Sequence, residues 1–129
     1  MIGTPNHGTY GYLADFCGTL IRNPTPECQD MEAGSDFLTN LNSDDETPGN
    51  IKYLTIIGKN TKSNYNPCPD KGYTDNVICA SSVYLEGAEN YYYEDYSSEY
   101  YLMNSLHTAF VYPSKAPLVY NKIVSFIKN

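Results

Sequence analysis

Two short runs of the chain carry an acid and a base in an order typical of hydrolytic chemistry. The first run, Thr74–Ile78, contains Asp75, and the second, Asn104–Thr108, contains His107. A carboxylate that orients an imidazole, and an imidazole that moves a proton to and from a hydroxyl, are two members of a serine-dependent triad. Where the serine comes first in a chain, the acid precedes the histidine, as it does here. No serine stands in a Gly-x-Ser-x-Gly pentapeptide, so the nucleophile is the missing member.

The segments around the two runs alternate between strand and helix patterns. Ile51 to Gly58 has β-branched and aromatic residues on both faces, which is typical of a central parallel strand. Ala88 to Tyr93 predicts a second strand, and Ala116 to Lys128 carries an apolar stripe at helical spacing with Pro117 in the first turn. This alternation indicates an α/β fold with a parallel sheet. An acid and a base at the ends of adjacent parallel strands would then lie side by side.

Further helices are predicted before the first strand. Tyr10 to Phe16 predicts a short surface helix, and Gln29 to Leu41 predicts a longer one, with Gly34 arguing for a break and Ser35 for a cap. The apolar residues on one face of the longer helix are Met31, Phe37, Leu38 and Leu41. The acidic turn from Asn42 to Asn50 lacks the ligand spacing of an EF-hand, which favours a solvated linker. No metal and no cofactor is expected.

Composition sets the class of protein. At 129 residues the chain has the size of one domain, and 41% hydrophobic against 18% charged residues is typical of a globular protein. The net charge of -7 and the mere 8 Lys and Arg residues argue against binding to nucleic acid. No apolar run is long enough to span a bilayer, so no transmembrane segment is expected.

The cysteines favour an oxidising compartment. No Cys-x-x-Cys pair is present, which argues against a zinc site. Of the pairings that four cysteines allow, the local ones, Cys17 with Cys28 and Cys68 with Cys79, are favoured because each closes a loop-like interval. Four reduced cysteines in a cytosolic protein remain the alternative.

The beginning of the sequence carries no export signal. Met1 to Pro5 has neither a charged region nor an apolar core, so a signal peptide is expected upstream, with an extracellular or periplasmic location for the protein. Ile2 runs directly into the Gly- and Pro-containing loop Gly3–Thr9, which indicates a strand cut at its end.

Five pieces of the sequence, in the family's order, resemble the secreted bacterial lipases and esterases of the α/β-hydrolase family. They correspond to the segment after the nucleophile helix, the helix and turn that follow, the acid loop with the strand after it, the histidine loop and the terminal helix. In this sequence the pieces are Ile2–Thr9, Gly34–Leu38 with Asp45–Gly49, Thr74–Ile78 with Ala80–Ser82 and Leu85–Asn90, Ser105–Thr108, and Tyr120–Ile127. The resemblance implies that residues 1–129 are the C-terminal portion of a single α/β-hydrolase domain.

The resemblance also implies roles for the two central residues. Asp75 is expected to be the triad acid and His107 the general base of a carboxylic ester hydrolase acting on ester or lipid substrates. Asp70 is the fallback acid, and His7 is interpreted as structural. The nucleophile and the oxyanion-hole donors of the family lie upstream of the segment that begins at Gly3. The chain alone is therefore expected to be inactive, and to join a missing N-terminal half or to self-associate through an exposed sheet edge.

Two other functions stay open on the sequence. The first is a non-catalytic, extracellular, disulfide-bonded binding module that uses the half-hydrolase fold and its tyrosines. The chain has 14 tyrosines, and Tyr91–Tyr93 supply flat apolar rings with polar tips, although a plain tyrosine-rich strand explains the run as well. The second is a different hydrolase that uses one of the chain's own serines.

Overall fold

The computed structural model describes residues 1–10, 14, 25–60, 66–95 and 105–129. Within this part of the chain the elements follow in the order α1 (Pro26–Asp30), α2 (Asp36–Leu41), β1 (Leu54–Asn60), α3 (Ala80–Val83), β2 (Glu89–Asp95), α4 (Leu106–Ala109) and α5 (Pro117–Lys128). The predicted surface helix from Tyr10 to Phe16 lies almost wholly outside the described residues.

The sheet is parallel, as the sequence pattern predicts. β1 pairs with β2 in the register that places Leu54 opposite Glu89. On the other edge of β1, Ile2 forms a single parallel bridge with Ile56, and the amide of Gly3 donates to the carbonyl of Ile56 at 3.0 Å. Helices combined with a parallel sheet confirm the α/β class, whereas both strands lie a little later in the chain than predicted.

β1 lies at the centre of the apolar core. One side of the strand packs against β2, α4 and α5, and the other side packs against α3. The buried residues of the larger cluster are Leu54, Ile56, Tyr93, Leu106, Ala109, Phe110, Ala116 and Val119. Those of the smaller cluster are Ile57, Ile78, Ala80 and Val83. Burial on both faces explains the near-continuous apolar sequence of the strand.

The predicted segment from Gln29 to Leu41 forms two short helices, which confirms the predicted break at Gly34 and the predicted cap at Ser35, although the first helix begins earlier, at Pro26. Gly34 adopts a positive φ of 85° between them, and the Oγ of Ser35 caps α2 by accepting from the amide of Leu38 at 3.2 Å. The predicted apolar face was wrong, because Leu38 is buried whereas Leu41 is 64% exposed. Left-handed backbone at a glycine ends the helical register, whatever the spacing of the apolar residues.

The terminal helix is confirmed in type and extent. α5 begins with Pro117, whose missing amide hydrogen costs nothing in a first turn. Val119 is buried, and Ile123 and Phe126 pack against the larger core cluster. No helix in the described part of the chain has the length and apolarity needed to cross a membrane.

One of the predicted disulfides is formed within the described residues. Cys68 and Cys79 are bonded, with 5.5 Å between their Cα atoms. Cys28 is also disulfide-bonded, whereas Cys17 lies outside the described residues. These disulfides are compatible with an extracellular location.

Shortening a core side chain of β1 tests this arrangement. Ile56 is 0% exposed, and Ile56→Ala should lower the free energy of unfolding by about 2–5 kcal/mol because it leaves a cavity. Ile127→Ala is the matched control, since Ile127 is 76% exposed and the change there should stay within about 0.5 kcal/mol. Urea denaturation measures both values. Equal losses at the two positions would show that β1 is not central to the core.

Candidate active site

The loop that carries the acid is attached to the carboxyl end of β1. The amide of Asn60, the last residue of the strand, donates to the carbonyl of Thr74 at 2.8 Å. The side-chain amide of Asn60 also donates to Oδ1 of Asn76 at 2.8 Å, inside the protein. These two bonds flank Asp75, so the loop returns to the strand end and holds its carboxylate there.

The carboxylate of Asp75 is buried and fully engaged. Asp75 is only 1% exposed to solvent. Its Oδ1 accepts from the amide of Val77 at 3.0 Å and from the amide of Ile78 at 2.7 Å. The turn that presents these amides requires Asn76 at a positive φ of 77°, a conformation that asparagine tolerates better than most residues. Oδ2 is thereby left to face His107.

His107 completes the pair from the start of α4. Its Nδ1 lies 2.7 Å from Oδ2 of Asp75, and its backbone amide donates to the carbonyl of Asp75 at 3.2 Å. Ser105 caps the short helix, with its Oγ accepting from the amide of Thr108 at 3.3 Å. The structure therefore brings together the two residues that the sequence predicts as acid and base.

The ionisation of the pair follows from this contact. The hydrogen bond to Asp75 raises the pKa of His107 above its ordinary value of 6.5, and partial burial of the imidazole opposes the rise. A carboxylate can only accept, so Nδ1 carries a proton and Nε2 of the neutral ring is an acceptor. The His107 side chain is 33% exposed, and no partner of Nε2 is found among the described residues. Such an imidazole can take a proton from a hydroxyl placed beside Nε2.

Two glycines leave room for the side chains of Asp75 and His107, because a Cβ atom at either position would overlap them. A Cβ atom at Gly58 would lie 2.3 Å from the Cβ of Asp75, and one at Gly3 would lie 2.9 Å from Nδ1 of His107. Gly3 also has a positive φ of 54°. Sequence reasoning missed both positions as parts of the site. A glycine at the end of a strand pattern is a signal of close backbone approach, and Gly58 carries that signal.

The other candidates of the sequence lie elsewhere. Nε2 of His7 is 3.0 Å from the carbonyl of Tyr84 and 3.2 Å from Oε1 of Glu46, which fits a structural role. Asp70, the fallback acid, has an Oδ1 that accepts from the amide of Gly72 at 2.9 Å in a turn. The imidazole of His107 is thus paired with Asp75 and not with Asp70.

Several of the described serines make structural hydrogen bonds. Ser35 and Ser105 cap helices, and the hydroxyl of Ser82 donates to the carbonyl of Gly8. No group of three or more His, Cys, Asp or Glu side chains suited to a metal ion occurs within the described residues. The chemistry that these residues can perform is proton transfer by a carboxylate-oriented imidazole.

Comparison with known proteins does not assign a family. No family model, no curated protein and no solved structure matches the chain. The resemblance to secreted lipases and esterases therefore stays a prediction, and the interpretation of the site rests on its geometry.

Removing the charge of the acid tests the pair. Asp75→Asn should lower the pKa of His107, because a neutral amide does not stabilise the imidazolium and burial then dominates. NMR titration of the imidazole protons measures the change. The chain has 2 histidines, so the signals of His107 are assigned with a His7→Gln variant. An unchanged pKa of His107 would mean that the contact is not formed in solution.

The same contact sets a pH dependence of stability. Because the folded pKa of His107 is raised, the folded state binds this proton more tightly than the unfolded state. The contribution is complete below a pH of about 6.5, the unfolded value, and is lost as the pH rises through the folded pKa. Urea denaturation across this range should show a loss of stability with rising pH that is absent in Asp75→Asn. A loss of the same size in the variant would contradict the assignment to His107.

Adding a methyl group beside the acid tests the close approach of Gly58. Gly58→Ala should lower the free energy of unfolding by about 1–3 kcal/mol, because the new Cβ overlaps Asp75, and should shift the pKa of His107. Gly49→Ala is the control, since a Cβ there meets nothing within 4 Å and bears only the cost of its positive φ. An unshifted His107 pKa in folded Gly58→Ala would show that this glycine does not position the pair.

Proposed function

We propose that Asp75 and His107 are the acid and the general base of a serine-dependent carboxylic ester hydrolase. The observation that carries the proposal is the 2.7 Å bond between the buried Oδ2 of Asp75 and Nδ1 of His107. It leaves Nε2 on a partly exposed ring as the proton acceptor. The order of acid before base in the chain and the resemblance to lipases and esterases support the same reaction.

The proposed reaction uses the pair twice. Nε2 of His107 takes the proton of a serine hydroxyl as its oxygen attacks the ester carbonyl, and Asp75 stabilises the imidazolium without being protonated itself. The imidazolium then gives its proton to the departing alcohol, which leaves an acyl-serine. A water molecule repeats the sequence, and the acid is released. Lipid esters and small soluble esters are the proposed substrate class.

The proposal requires a serine from a segment that reaches His107. The surface next to the pair is suited to receive one, since Gly3 lies against the imidazole and Ile2 forms the edge of the sheet. Met1 and Ile2 are 46% and 40% exposed. A groove of about 290 Å³ lies beside Met1 and Ile2, between the start of β1 and α5, and is lined by Met1, Ile2, Lys52, Tyr53, Leu54, Ile56, Ile123 and Phe126. A further strand paired with this edge would bring its loop close to Nε2.

We place this enzyme outside the cytoplasm, in the extracellular or periplasmic space. The support is the disulfide between Cys68 and Cys79, together with the disulfide-bonded state of Cys28. Disulfides of this kind persist in oxidising compartments. Self-association through the edge at Ile2 is the alternative to a separate nucleophile segment.

A binding module without catalysis is the second candidate. It is favoured by three half-exposed tyrosines that line one cavity, to which Asp75 and His107 do not contribute: Tyr73, Tyr84 and Tyr92. In such a module, substitution of Asp75 or His107 would leave the function unchanged. The esterase and the binding module therefore differ in whether Asp75 and His107 are needed for the function.

Hydrolysis of short-chain p-nitrophenyl esters tests the proposed reaction. The chain alone should be inactive, whereas a form extended upstream through the next in-frame start should turn over ester. His107→Ala and Asp75→Asn in the extended form should each lower kcat by about 10⁴-fold, because proton transfer from the serine is lost. The rate of nitrophenolate release measures both effects.

The other histidine provides the control for this test. His7→Gln in the extended form should retain activity, since His7 does not touch Asp75 or His107. A folded extended chain without esterase activity would overturn the proposal. Full activity of the His107→Ala form would do so as well.

A further inference from the structure

We propose that a tyrosine-lined cavity, separate from the acid and base, binds ligands that carry a quaternary ammonium group. The cavity has a volume of about 410 Å³. Its lining residues come from the loop closed by the disulfide, from α3 and its C-terminal flank, and from β2: Asp70, Gly72, Tyr73, Ala80, Ser81, Tyr84 and Tyr92. Asp75 and His107 are not among them, so the inference does not depend on the proposed hydrolase.

The rings around the cavity are available to a ligand. Tyr73, Tyr84 and Tyr92 are 49%, 45% and 46% exposed, so each ring is partly packed and partly open. The face of an aromatic ring carries negative electrostatic potential and attracts cations. Three such rings around one cavity can surround a compact cation from several sides.

The charge of the lining favours a cation as well. Among the described residues that line the cavity, Asp70 is the only charged one, and none is a lysine or an arginine. The Oδ1 of Asp70 accepts from the amide of Gly72, and no partner of Oδ2 is found in the part of the chain that the structure describes. With a net charge of -7, the whole chain repels anions and attracts cations.

One of these rings already has a cation on its face. The Nζ atom of Lys59 lies 4.2 Å from the centroid of the Tyr73 ring. Lys59 is held in place by Glu94, whose Oε1 is 3.0 Å from Nζ, and it does not line the cavity. One face of the Tyr73 ring is therefore occupied, so a ligand would use the other face of this ring together with the rings of Tyr84 and Tyr92.

The part of the cavity wall that carries Gly72 and Tyr73 is restrained by a disulfide and by hydrogen bonds. The Cys68–Cys79 disulfide closes the loop that carries Tyr73, and the carbonyl of Tyr73 accepts from the amide of Ala80 at 2.8 Å. The side chain of Asn66 donates to the carbonyl of Gly72 at 2.8 Å. A wall fixed by these bonds loses little conformational entropy on binding, which favours affinity.

A quaternary ammonium group fits this lining better than a primary ammonium or a neutral sugar. Its methyl groups cannot donate hydrogen bonds, so the group leaves water at low cost and packs its carbon atoms against the rings. A primary ammonium is strongly hydrated and would seek more acceptors than Asp70 supplies. A neutral sugar would stack on the tyrosines without using the carboxylate charge.

The test compares choline with its uncharged isostere, 3,3-dimethylbutan-1-ol, on the full chain by isothermal titration calorimetry. Choline should bind at least tenfold more tightly, because the two ligands share their shape and differ in charge. Tyr84→Leu and Tyr92→Leu should each weaken choline binding about threefold through the loss of one ring. Asp70→Asn keeps an acceptor for Gly72 and should weaken binding to a similar extent.

Tyr120→Leu is the matched control, since Tyr120 is 52% exposed on α5 and does not line the cavity. It should leave choline binding unchanged. Circular dichroism establishes that each variant is folded. Equal affinity for choline and the isostere would overturn the proposal, and so would the absence of choline binding to the folded chain. Binding of a neutral oligosaccharide in place of choline would assign the cavity to sugars instead.

Discussion

A buried negative charge, that of Asp75, is the constraint around which this part of the protein is arranged. A carboxylate removed from water is tolerated only where donors replace its hydration. The amides of Val77 and Ile78 supply two donors and the imidazole of His107 supplies the third. The left-handed turn at Asn76 follows from this requirement, since it directs both amides to one oxygen. The hydrogen bonds that stabilise the carboxylate of Asp75 also fix its position against the imidazole of His107.

The sequence was informative where local pattern decides the structure. Asp75 and His107 could be predicted as a pair because the segments around them resemble the acid and histidine loops of a known family. The helix α5 could be predicted because its apolar spacing continues for several turns after a proline. Pairing of Cys68 with Cys79 was predictable from the short loop between them. The strand ends were less predictable, because they depend on where hydrogen-bonding partners stop and not on residue type.

The sequence was uninformative where structure depends on contacts between distant segments. Gly3 is far from His107 in the sequence, and the closeness of the two arises only when the N-terminal segment and β1 lie beside each other. Between Gln29 and Leu41 the break at Gly34 was predictable, but the buried face was not, because only Leu38 of the apolar residues at helical spacing is buried. The tyrosine-lined cavity is formed by a loop, a helix flank and a strand, so no single stretch of the sequence predicts it.

The disulfide has a consequence for where the site can exist. Asp75 lies inside the loop that Cys68 and Cys79 close, so the same covalent link restrains both the acid and the cavity wall. Closing a loop reduces the number of conformations open to the unfolded chain. In a compartment that reduces thiols, this restraint would be released, and the acid would have to hold its position by hydrogen bonds alone. The oxidation state of the surroundings is thereby linked to the geometry of the contact between Asp75 and His107.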